Sequence, residues 1–365
     1  MTDLGARSRA GLLTGAGLAA LLLAPVLGPG YVLVRDMVFV PRTPLGTHLL
    51  GLDGVPRGVP SELVVALLSR VVPTGWLQDL VLVAIVVGGA WGAARLAPTT
   101  SRVAAVAAAT AYGWSPYLHE RLLLGQWALL VGWAVLPWAV RSALAWRAGE
   151  SAWPTVVALS VAALGGANAL LIVALAVVVC GPLLRSLAAV AVLALPWVVP
   201  ALVQDAVAGD RRGVAAFAAN ADTPFGVVGS LLTGGGVWAR EAVPDGRATG
   251  SWIALAIVLV AATGLRAVHH RIGPRLSVAA ALGLGIALLA VTPGADAALR
   301  WAVVHVPAAG LLRDGQKWVA PLVLLLSASL ACAVEAVVKR SHALAVLAVL
   351  ALATTWVTGR VPETS

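Results

Sequence analysis

The stretch "GLLRDGQKWVAP" sets four polar side chains directly before one of the most apolar runs of the chain: Arg313, Asp314, Gln316 and Lys317. A helix that begins at Asp314 or Gly315 points its free backbone N–H groups at the same place. The helix dipole opposes cations there, so Arg313 and Lys317 are poorly placed for helix stability but well placed to bind an anion. Arginine offers a phosphate two parallel N–H groups, and lysine offers a point charge. The stretch predicts a phosphate site, with Asp314 capping the helix or orienting Arg313 and with Gln316 in support.

Three further polar groups lie at the ends of apolar segments that the hydropathy pattern places on the same side of a membrane. They are Arg35 and Asp36 after the first segment, His119, Glu120 and Arg121 in the turn of "SPYLHERLLLGQW", and Asn168 in "GGAN". Each group also has an ordinary explanation. Arg35 and Arg121 suit interfacial cations whose heads reach water, and Glu120 and Arg121 suit a pair that neutralises itself. Their joint placement on one side favours a shared site.

Within that site, Asp36 in "VRDMVF" suits a general base for a hydroxyl acceptor. An ionised carboxylate at that depth needs a partner, and Arg35 is adjacent. The sequence shows no Asp/His cluster with metal-ligand spacing, so we expect neither a metal nor a cofactor. Phosphates at the outer surface of a membrane belong to phospholipid head groups and to polyprenyl-phosphate sugars. The expectation is that Asp36, Arg313 and Lys317 line one outward-facing pocket.

The composition places the chain in the membrane class. Of its 365 residues 60% are hydrophobic and 11% are charged, and the mean hydropathy is +0.93. Soluble domains carry roughly 25% charged residues. The net charge of +9 does not indicate nucleic-acid binding, because the basic residues are spread singly between apolar segments. The two cysteines lie in apolar runs and predict neither a disulfide framework nor a metal site.

The apolar segments predict an all-α, polytopic integral membrane protein with about eleven transmembrane helices, since a span needs about 20 mainly apolar residues. The three shortest segments, 103–118, 154–167 and 169–184, are the weakest candidates, and two of them could form one broken hairpin. The predicted spans are 11–34, 76–95, 103–118, 122–140, 154–167, 169–184, 186–204, 251–268, 276–293, 316–336 and 342–358.

Lys and Arg in short loops predict the orientation of these spans. With a cytoplasmic N-terminus, the whole net charge of +9 falls on the inner side. The two longest outer loops are then 35–75, where 61–73 predicts a helix lying on the membrane surface, and 205–250, where Asp222 or Thr223 can cap a helix. We expect one transmembrane domain over 1–365 and no separate soluble domain, in a multi-pass protein of the plasma membrane with its active face outside the cytoplasm.

These features resemble the GT-C superfamily of integral-membrane glycosyltransferases, which use polyprenyl-phosphate-linked sugars on the extracytoplasmic face. The resemblance implies that Asp36, just after the first span, is the catalytic acid/base residue. It also implies that Arg313 and Lys317, with Arg121 and Arg35, hold the donor phosphate. The Ala-, Val- and Gly-rich composition is similar to that of high-GC actinobacterial proteins. The implied partners are the donor, a glycan or lipid acceptor and membrane lipids.

Two features depart from the GT-C pattern. The first outer loop has a single acid where many members have a pair, and the chain ends at "GRVPETS" without the extracytoplasmic domain that helps to choose the acceptor. Acceptor binding would then fall to 205–250 or to a partner protein of envelope assembly. Two alternatives stay open: a transporter or flippase for lipids or lipid-linked sugars, and a non-catalytic subunit of an envelope-assembly complex.

Overall fold

The computed structural model describes residues 2–52, 58–203 and 210–341. Over these ranges the regular secondary structure is helical, apart from one isolated bridge between Val34 and Met37. Short 3-10 segments link some of the helices. The α-helices are α1 Thr2–Leu23, α2 Ser61–Leu68, α3 Thr74–Leu96, α4 Arg102–Gly113, α5 Pro116–Leu123, α6 Trp127–Arg147, α7 Trp153–Leu164, α8 Ala167–Cys180, α9 Leu183–Leu193, α10 Leu195–Val203, α11 Arg212–Ala216, α12 Gly226–Leu232, α13 Ser251–Ile272, α14 Arg275–Leu288, α15 Ala295–His305 and α16 Ala320–Val338.

Four helical segments in the described ranges are long and apolar enough to cross a membrane: α3, α6, α13 and Gln316–Val338. Two bent pairs raise the number to six if each is one span. Leu183–Leu193 and Leu195–Ala201 meet at 59°, and Arg275–Val291 and Ala295–His305 meet at 90°. This supports a helical membrane protein with four to six spans, whereas the larger number of about eleven stays a prediction.

The predicted first span, 11–34, extends past the end of its helix. Helix α1 begins at Thr2 and ends at Leu23, and the chain then runs without helix to the bridge at Val34. Pro25 and Pro29, which lack a backbone N–H, and two glycines in extended or left-handed backbone explain the early end. The consequence is that a non-helical, mainly apolar segment, rather than the end of a helix, leads to Asp36.

Other predicted segments differ from the structure in length. Segments 154–167 and 169–184 become α7 and α8, with 12 and 14 residues, shorter than an independent span needs. The predicted surface helix 61–73 ends at Leu68, and its Leu67 and Leu68 are exposed as a membrane-surface helix requires. The predicted span 342–358 lies outside the described residues.

The core is built by close approaches between small residues and large ones. Tyr112 of α4 stacks on Trp133 of α6 with ring centroids 4.3 Å apart, and its hydroxyl donates to the Trp133 carbonyl at 2.8 Å. A Cβ on Gly89 of α3 would lie 2.4 Å from the Trp133 ring, so only glycine lets α3 and α6 approach this closely. These contacts hold α3, α4 and α6 together beneath the end of the bundle that carries the polar residues.

Candidate functional site

A buried ion pair between Arg121 and Asp314 forms the centre of the polar end. Ser115 caps α5 by accepting from the backbone N–H of Leu118, and the helix carries Arg121 inward until its side chain is 0% exposed. Its two terminal nitrogens donate to the two Asp314 oxygens at 2.7 and 2.9 Å, and its Nε donates to Gln316 Oε1 at 2.7 Å. The pair is bidentate, the strongest arrangement that arginine makes with a carboxylate.

Asp314 keeps its charge in this setting. Burial raises the pKa of the carboxyl group, but the guanidinium of Arg121 and the cation of Lys317 outweigh burial and hold the pKa below its ordinary value. The predicted capping by Asp314 is not present, because the turn Gln316–Val319 follows Gly315 without a side-chain cap. The ionic partner of Asp314 is Arg121 rather than Arg313. The chain then passes through the 3-10 turn Gln316–Val319 into α16.

Asp36 lies at the other end of this network, on a tight turn. Val34 and Met37 exchange backbone hydrogen bonds across the turn, and the N–H of Asp36 donates to the Leu124 carbonyl at 3.2 Å. The exposed Asp36 carboxylate accepts from Gln126 Nε2 at 3.1 Å, and Gln126 Oε1 accepts from Arg121 at 2.5 Å. A continuous hydrogen-bonded path thus joins Asp36 to Asp314 across the chain.

Gly125 allows the turn after α5 to pack closely against the loop that carries Asp36. Its φ of +68° is in the left-handed region, and a Cβ there would lie 1.9 Å from the Val34 carbonyl oxygen. Glycine is the residue that adopts this backbone at no steric cost. The turn after α5 can therefore press against the first loop and present Gln126 to Asp36.

Arg35 does not pair with Asp36, contrary to the sequence prediction. It adopts a left-handed φ of 47° and donates to Glu241 at 2.5 Å across the surface. The two side chains are 40% and 59% exposed, so solvent screens the pair and it contributes little stability. The contact ties the first loop to the loop before α13, and it leaves Asp36 with a neutral hydrogen-bond partner.

The other predicted phosphate ligands differ in how accessible they are. Lys317 is 2% exposed, and its Nζ donates to Asn168 Oδ1 at 2.6 Å and to the Leu311 carbonyl. Arg313 is partly exposed and lies over the Phe217 ring, with its guanidinium carbon 4.7 Å from the ring centroid. Asn168 is exposed in the first turn of α8. Protein groups therefore already occupy Arg121 and Lys317, whereas Arg313 and Arg35 are the more open cations.

One interpretation of the sequence paired Glu120 with Arg121, but the two side chains do not form an ion pair with each other. Successive residues of a helix point in different directions, so each side chain finds its own partners. Glu120 is fully buried, and its Oε2 accepts from Gln316 Nε2 and from the backbone N–H of Val237, both at 3.2 Å. Its other oxygen faces Asp222, whose carboxylate pairs with Arg247 at 3.2 Å.

Two buried carboxyl groups in contact cannot both be ionised at low cost. Burial, and then the charge of Asp222, raise the pKa of Glu120 well above its ordinary value. Burial also acts to raise the pKa of Asp222, but Arg247 outweighs it and the pKa lies below the ordinary value. These opposite shifts favour Glu120 as the protonated member of the pair and Asp222 as the ionised one.

Sequence reasoning missed Gln126, Asp222 and Arg247 as members of the network. Asp222 was expected to cap a helix, but its carboxylate accepts from the Gly236 N–H at 2.7 Å instead, and α12 begins at Gly226 with Phe225 before it. A signal was present in "GGGVW", because three successive glycines in a loop indicate a close backbone approach.

His119 is a core residue of this region. Its Nδ1 lies 3.0 Å from the Ser115 carbonyl, and its ring packs edge-on against Trp114. Burial lowers the pKa of the imidazole, which favours the neutral form. It contacts none of the exposed groups of the site and supports the capping turn of α5.

In the described ranges, no group of three or more His, Cys, Asp or Glu side chains is arranged to hold a metal ion. No protein-family model, no curated protein and no solved structure matches this chain. The arrangement combines an exposed carboxylate, two partly exposed arginines and a buried ionic network behind them. Chemically, it can accept a proton at Asp36 and attract an anion at Arg313 and Arg35.

Proposed function

We propose that this chain is an integral-membrane glycosyltransferase that moves a sugar from a polyprenyl-phosphate donor to a hydroxyl group of a cell-envelope glycan or lipid. The observation that carries the proposal is the hydrogen-bonded path from Asp36 through Gln126 and Arg121 to Asp314. It joins the loop after α1 to the start of the span Gln316–Val338. A surface carboxylate without a functional role would need no hydrogen-bonded path of this kind to hold it in place.

In the proposed reaction, Asp36 accepts the proton of the acceptor hydroxyl as its oxygen attacks the anomeric carbon. The bond from that carbon to the donor phosphate oxygen breaks, and its electron pair leaves with the polyprenyl phosphate. Negative charge grows on the phosphate in the transition state, so cations near it lower the barrier. Arg313 and Arg35 supply that charge at the surface, and Lys317 and Arg121 reinforce it from behind. Attack opposite the leaving group inverts the configuration of the sugar.

The proposal includes the membrane arrangement expected from the sequence. The N-terminus lies in the cytoplasm, the chain crosses the plasma membrane about eleven times, and the polar end faces outward. Short helices such as α7 and α8 span part of the bilayer in the shelter of their neighbours. Acceptor recognition falls to the loop 205–250 or to a partner protein.

A second candidate function is that of a non-catalytic subunit or a lipid-linked-sugar transporter. The observation that favours it is the saturation of Arg121 and Lys317 by protein partners. Cations held in this way serve to fix loops to the bundle and are costly to redirect toward a ligand.

One experiment separates these functions. Purified protein in liposomes receives labelled polyprenyl-phosphate mannose or arabinofuranose together with envelope glycan acceptors, and both sugar transfer and movement of the donor across the bilayer are followed. Transfer with inversion supports the glycosyltransferase. Donor movement without transfer supports the transporter, and neither activity supports the subunit.

A further inference from the structure

The end of the bundle opposite Asp36 brings two arginines together. Arg95 lies in the last turn of α3, and Arg141 lies near the end of α6. Asp36 and Gln126 belong to the other end, since Asp36 follows α1 and Gln126 precedes α6. Arg141 Nη1 donates to the backbone carbonyl oxygen of Arg95 at 3.0 Å. Neither arginine takes part in the proposed sugar transfer, so the pair is a separate feature of the molecule.

Trp138 of α6 lies where the two arginines meet. Its indole Nε1 donates to the Gly88 carbonyl at 2.9 Å, and its ring packs edge-on against Trp91 of α3 with centroids 4.9 Å apart. The guanidinium carbon of Arg95 is 5.9 Å from the Trp138 ring centroid. Arg141 follows Trp138 after three residues, which is about one helical turn. Tryptophans at the ends of membrane helices mark the depth of the lipid head groups.

The protein does not saturate either guanidinium group, which has five N–H donors. Arg141 is exposed and makes one hydrogen bond, to the Arg95 carbonyl. Arg95 makes one through Nη1, to Ser8 Oγ of α1 at 3.0 Å, and its Nε is buried without a partner among the described residues. In the part of the chain that the structure describes, neither arginine forms an ion pair with a carboxylate. Two positive charges therefore lie side by side without an acid.

Three other arginines at this end are better neutralised. Arg271 pairs with Glu335 at 2.5 Å. Arg147 and Arg275 donate to backbone carbonyls at the end of α8, where the helix dipole favours cations. The end of α3 offers a similar partial charge of about half an elementary charge, which does not balance two guanidinium groups. An anion from outside the chain would supply the missing charge.

The surface beside the pair indicates which anion that is. Helix α1 packs along the candidate span α3, since a Cβ on Gly11 would lie 2.5 Å from the Ala94 Cβ. One turn beyond Ser8, the side chains of Leu12 and Leu13 are 38% and 71% exposed. In a membrane such side chains contact acyl chains. An anion that meets both surfaces carries hydrocarbon chains, and a phosphate group matches the fork of an arginine.

We propose that Arg95 and Arg141 bind the phosphate group of an anionic phospholipid whose acyl chains lie along α1 beside Leu12 and Leu13. The phosphate oxygens accept hydrogen bonds from the terminal N–H groups of the two arginines. A zwitterionic phospholipid fits less well, because its ammonium group offsets the attraction of the phosphate. With the proposed orientation the site lies in the cytoplasmic leaflet, where anionic lipids attract cations. The site goes beyond sugar transfer and does not depend on it.

The test is native mass spectrometry of the full chain released from micelles that contain equal amounts of phosphatidylglycerol and phosphatidylcholine with the same acyl chains. The wild type should retain phosphatidylglycerol over phosphatidylcholine about fivefold or more. The double variant Arg95→Gln/Arg141→Gln should lower the retained phosphatidylglycerol roughly tenfold. The matched control Arg102→Gln/Arg185→Gln removes two exposed cations at the same end of the bundle and should leave it unchanged.

Three outcomes would overturn the proposal. Equal retention of the two lipids would show that the site does not select an anionic head group. Equal losses in the two double variants would show a diffuse attraction to the whole basic surface. Displacement by millimolar inorganic phosphate, as complete as by excess phosphatidylglycerol, would show a site for soluble phosphate rather than for a lipid.

The single variant Arg141→Gln keeps the test decisive if the double variant does not fold. Its side chain is exposed and makes one hydrogen bond, so the fold should tolerate the change. It should lower phosphatidylglycerol retention about threefold, and Arg141→Lys, which keeps the charge, should recover most of the loss. Full retention in a folded Arg141→Gln variant contradicts the proposal.

Discussion

Arg121 and Asp314 are 193 residues apart in the chain, yet they form two parallel hydrogen bonds of 2.7 and 2.9 Å, with the arginine completely buried. The pair joins α5 to the entry of the last described span. It also receives, through Gln126, the loop that carries Asp36. The ion pair therefore holds three distant parts of the chain in one place.

Asp314→Asn should lower the free energy of unfolding by about 3–5 kcal/mol, because it leaves the buried Arg121 charge uncompensated. Thermal unfolding followed by tryptophan fluorescence in detergent measures this. The control is Asp296→Asn, which breaks the exposed ion pair with Arg300 within α15 and should cost less than about 0.5 kcal/mol. Equal losses for the two variants would contradict a structural role for the buried pair.

Gly125→Ala should destabilise the protein by about 2–5 kcal/mol. A left-handed backbone costs an alanine about 1–2 kcal/mol, and the clash with the Val34 carbonyl adds to it. Gly149→Ala is the matched control, since Gly149 also has a positive φ but its Cβ would meet open space. For Gly149→Ala we expect only the cost of the left-handed backbone, about 1–2 kcal/mol. If both variants lose the same stability, the first loop is not pressed against this turn.

Glu120→Gln should change how stability depends on pH. The raised pKa of Glu120 means that its stabilising contribution is complete below the ordinary glutamate pKa and is lost as pH rises toward the raised value. A glutamine keeps the neutral hydrogen-bonding pattern at every pH. The wild-type Tm minus the variant Tm should therefore fall as pH rises from the ordinary glutamate pKa into the alkaline range.

The Tm difference between the wild type and Glu120→Gln cancels the contributions of the other titrating groups. Burial lowers the pKa of His119, so protonation of this imidazole destabilises the protein as pH falls. The effect is the same in the wild type and in Glu120→Gln. Asp222 and Asp314 have lowered pKa values, so their contributions are lost only in acid, below the ordinary aspartate pKa. A Tm difference that stays constant over this range would show that Glu120 does not carry the proton.

The elements that could be predicted from sequence were those with strong local signals. Segment 76–95 became Thr74–Leu96, because a long apolar run follows Pro73 and ends before Pro98. The early end of α1 at Leu23 was missed, since hydropathy stays high through the proline and glycine residues that stop the helix. The predicted span 276–293 ended at the 90° bend, but the helix Ala295–His305 that follows the bend was not predicted.

The candidate site was predictable only as a set of polar residues at one depth. No local pattern pairs Arg121 with Asp314 or Glu120 with Asp222, because such partners are chosen by tertiary packing. Gln126 was overlooked because a glutamine beside an apolar run looks like an ordinary helix boundary. The expectation that neighbours such as Arg35 and Asp36 pair was wrong for a steric reason: the tight turn points them apart.

Gln126→Leu should lower kcat for sugar transfer roughly tenfold to a hundredfold and leave the KM for the donor unchanged, if the proposed function holds. The glutamine orients Asp36 and does not touch the donor, and small misplacements of a reacting group are costly. Gln126→Glu keeps an acceptor for Arg121 but loses the donor to Asp36, so it should show the same loss with better stability. Full kcat in either variant would remove Gln126 from the reaction.

The role of Asp36 as the base is tested most directly by the rate of sugar transfer from a polyprenyl-phosphate donor by Asp36→Asn. The control is Asp296→Asn, which removes a partly exposed carboxylate of α15, outside the loops of the proposed site. An asparagine keeps the shape of the side chain but cannot accept the acceptor's proton. If Asp36 is the base, the rate falls by about a hundredfold or more for Asp36→Asn and is unchanged for the control. Transfer by Asp36→Asn at the wild-type rate would contradict it.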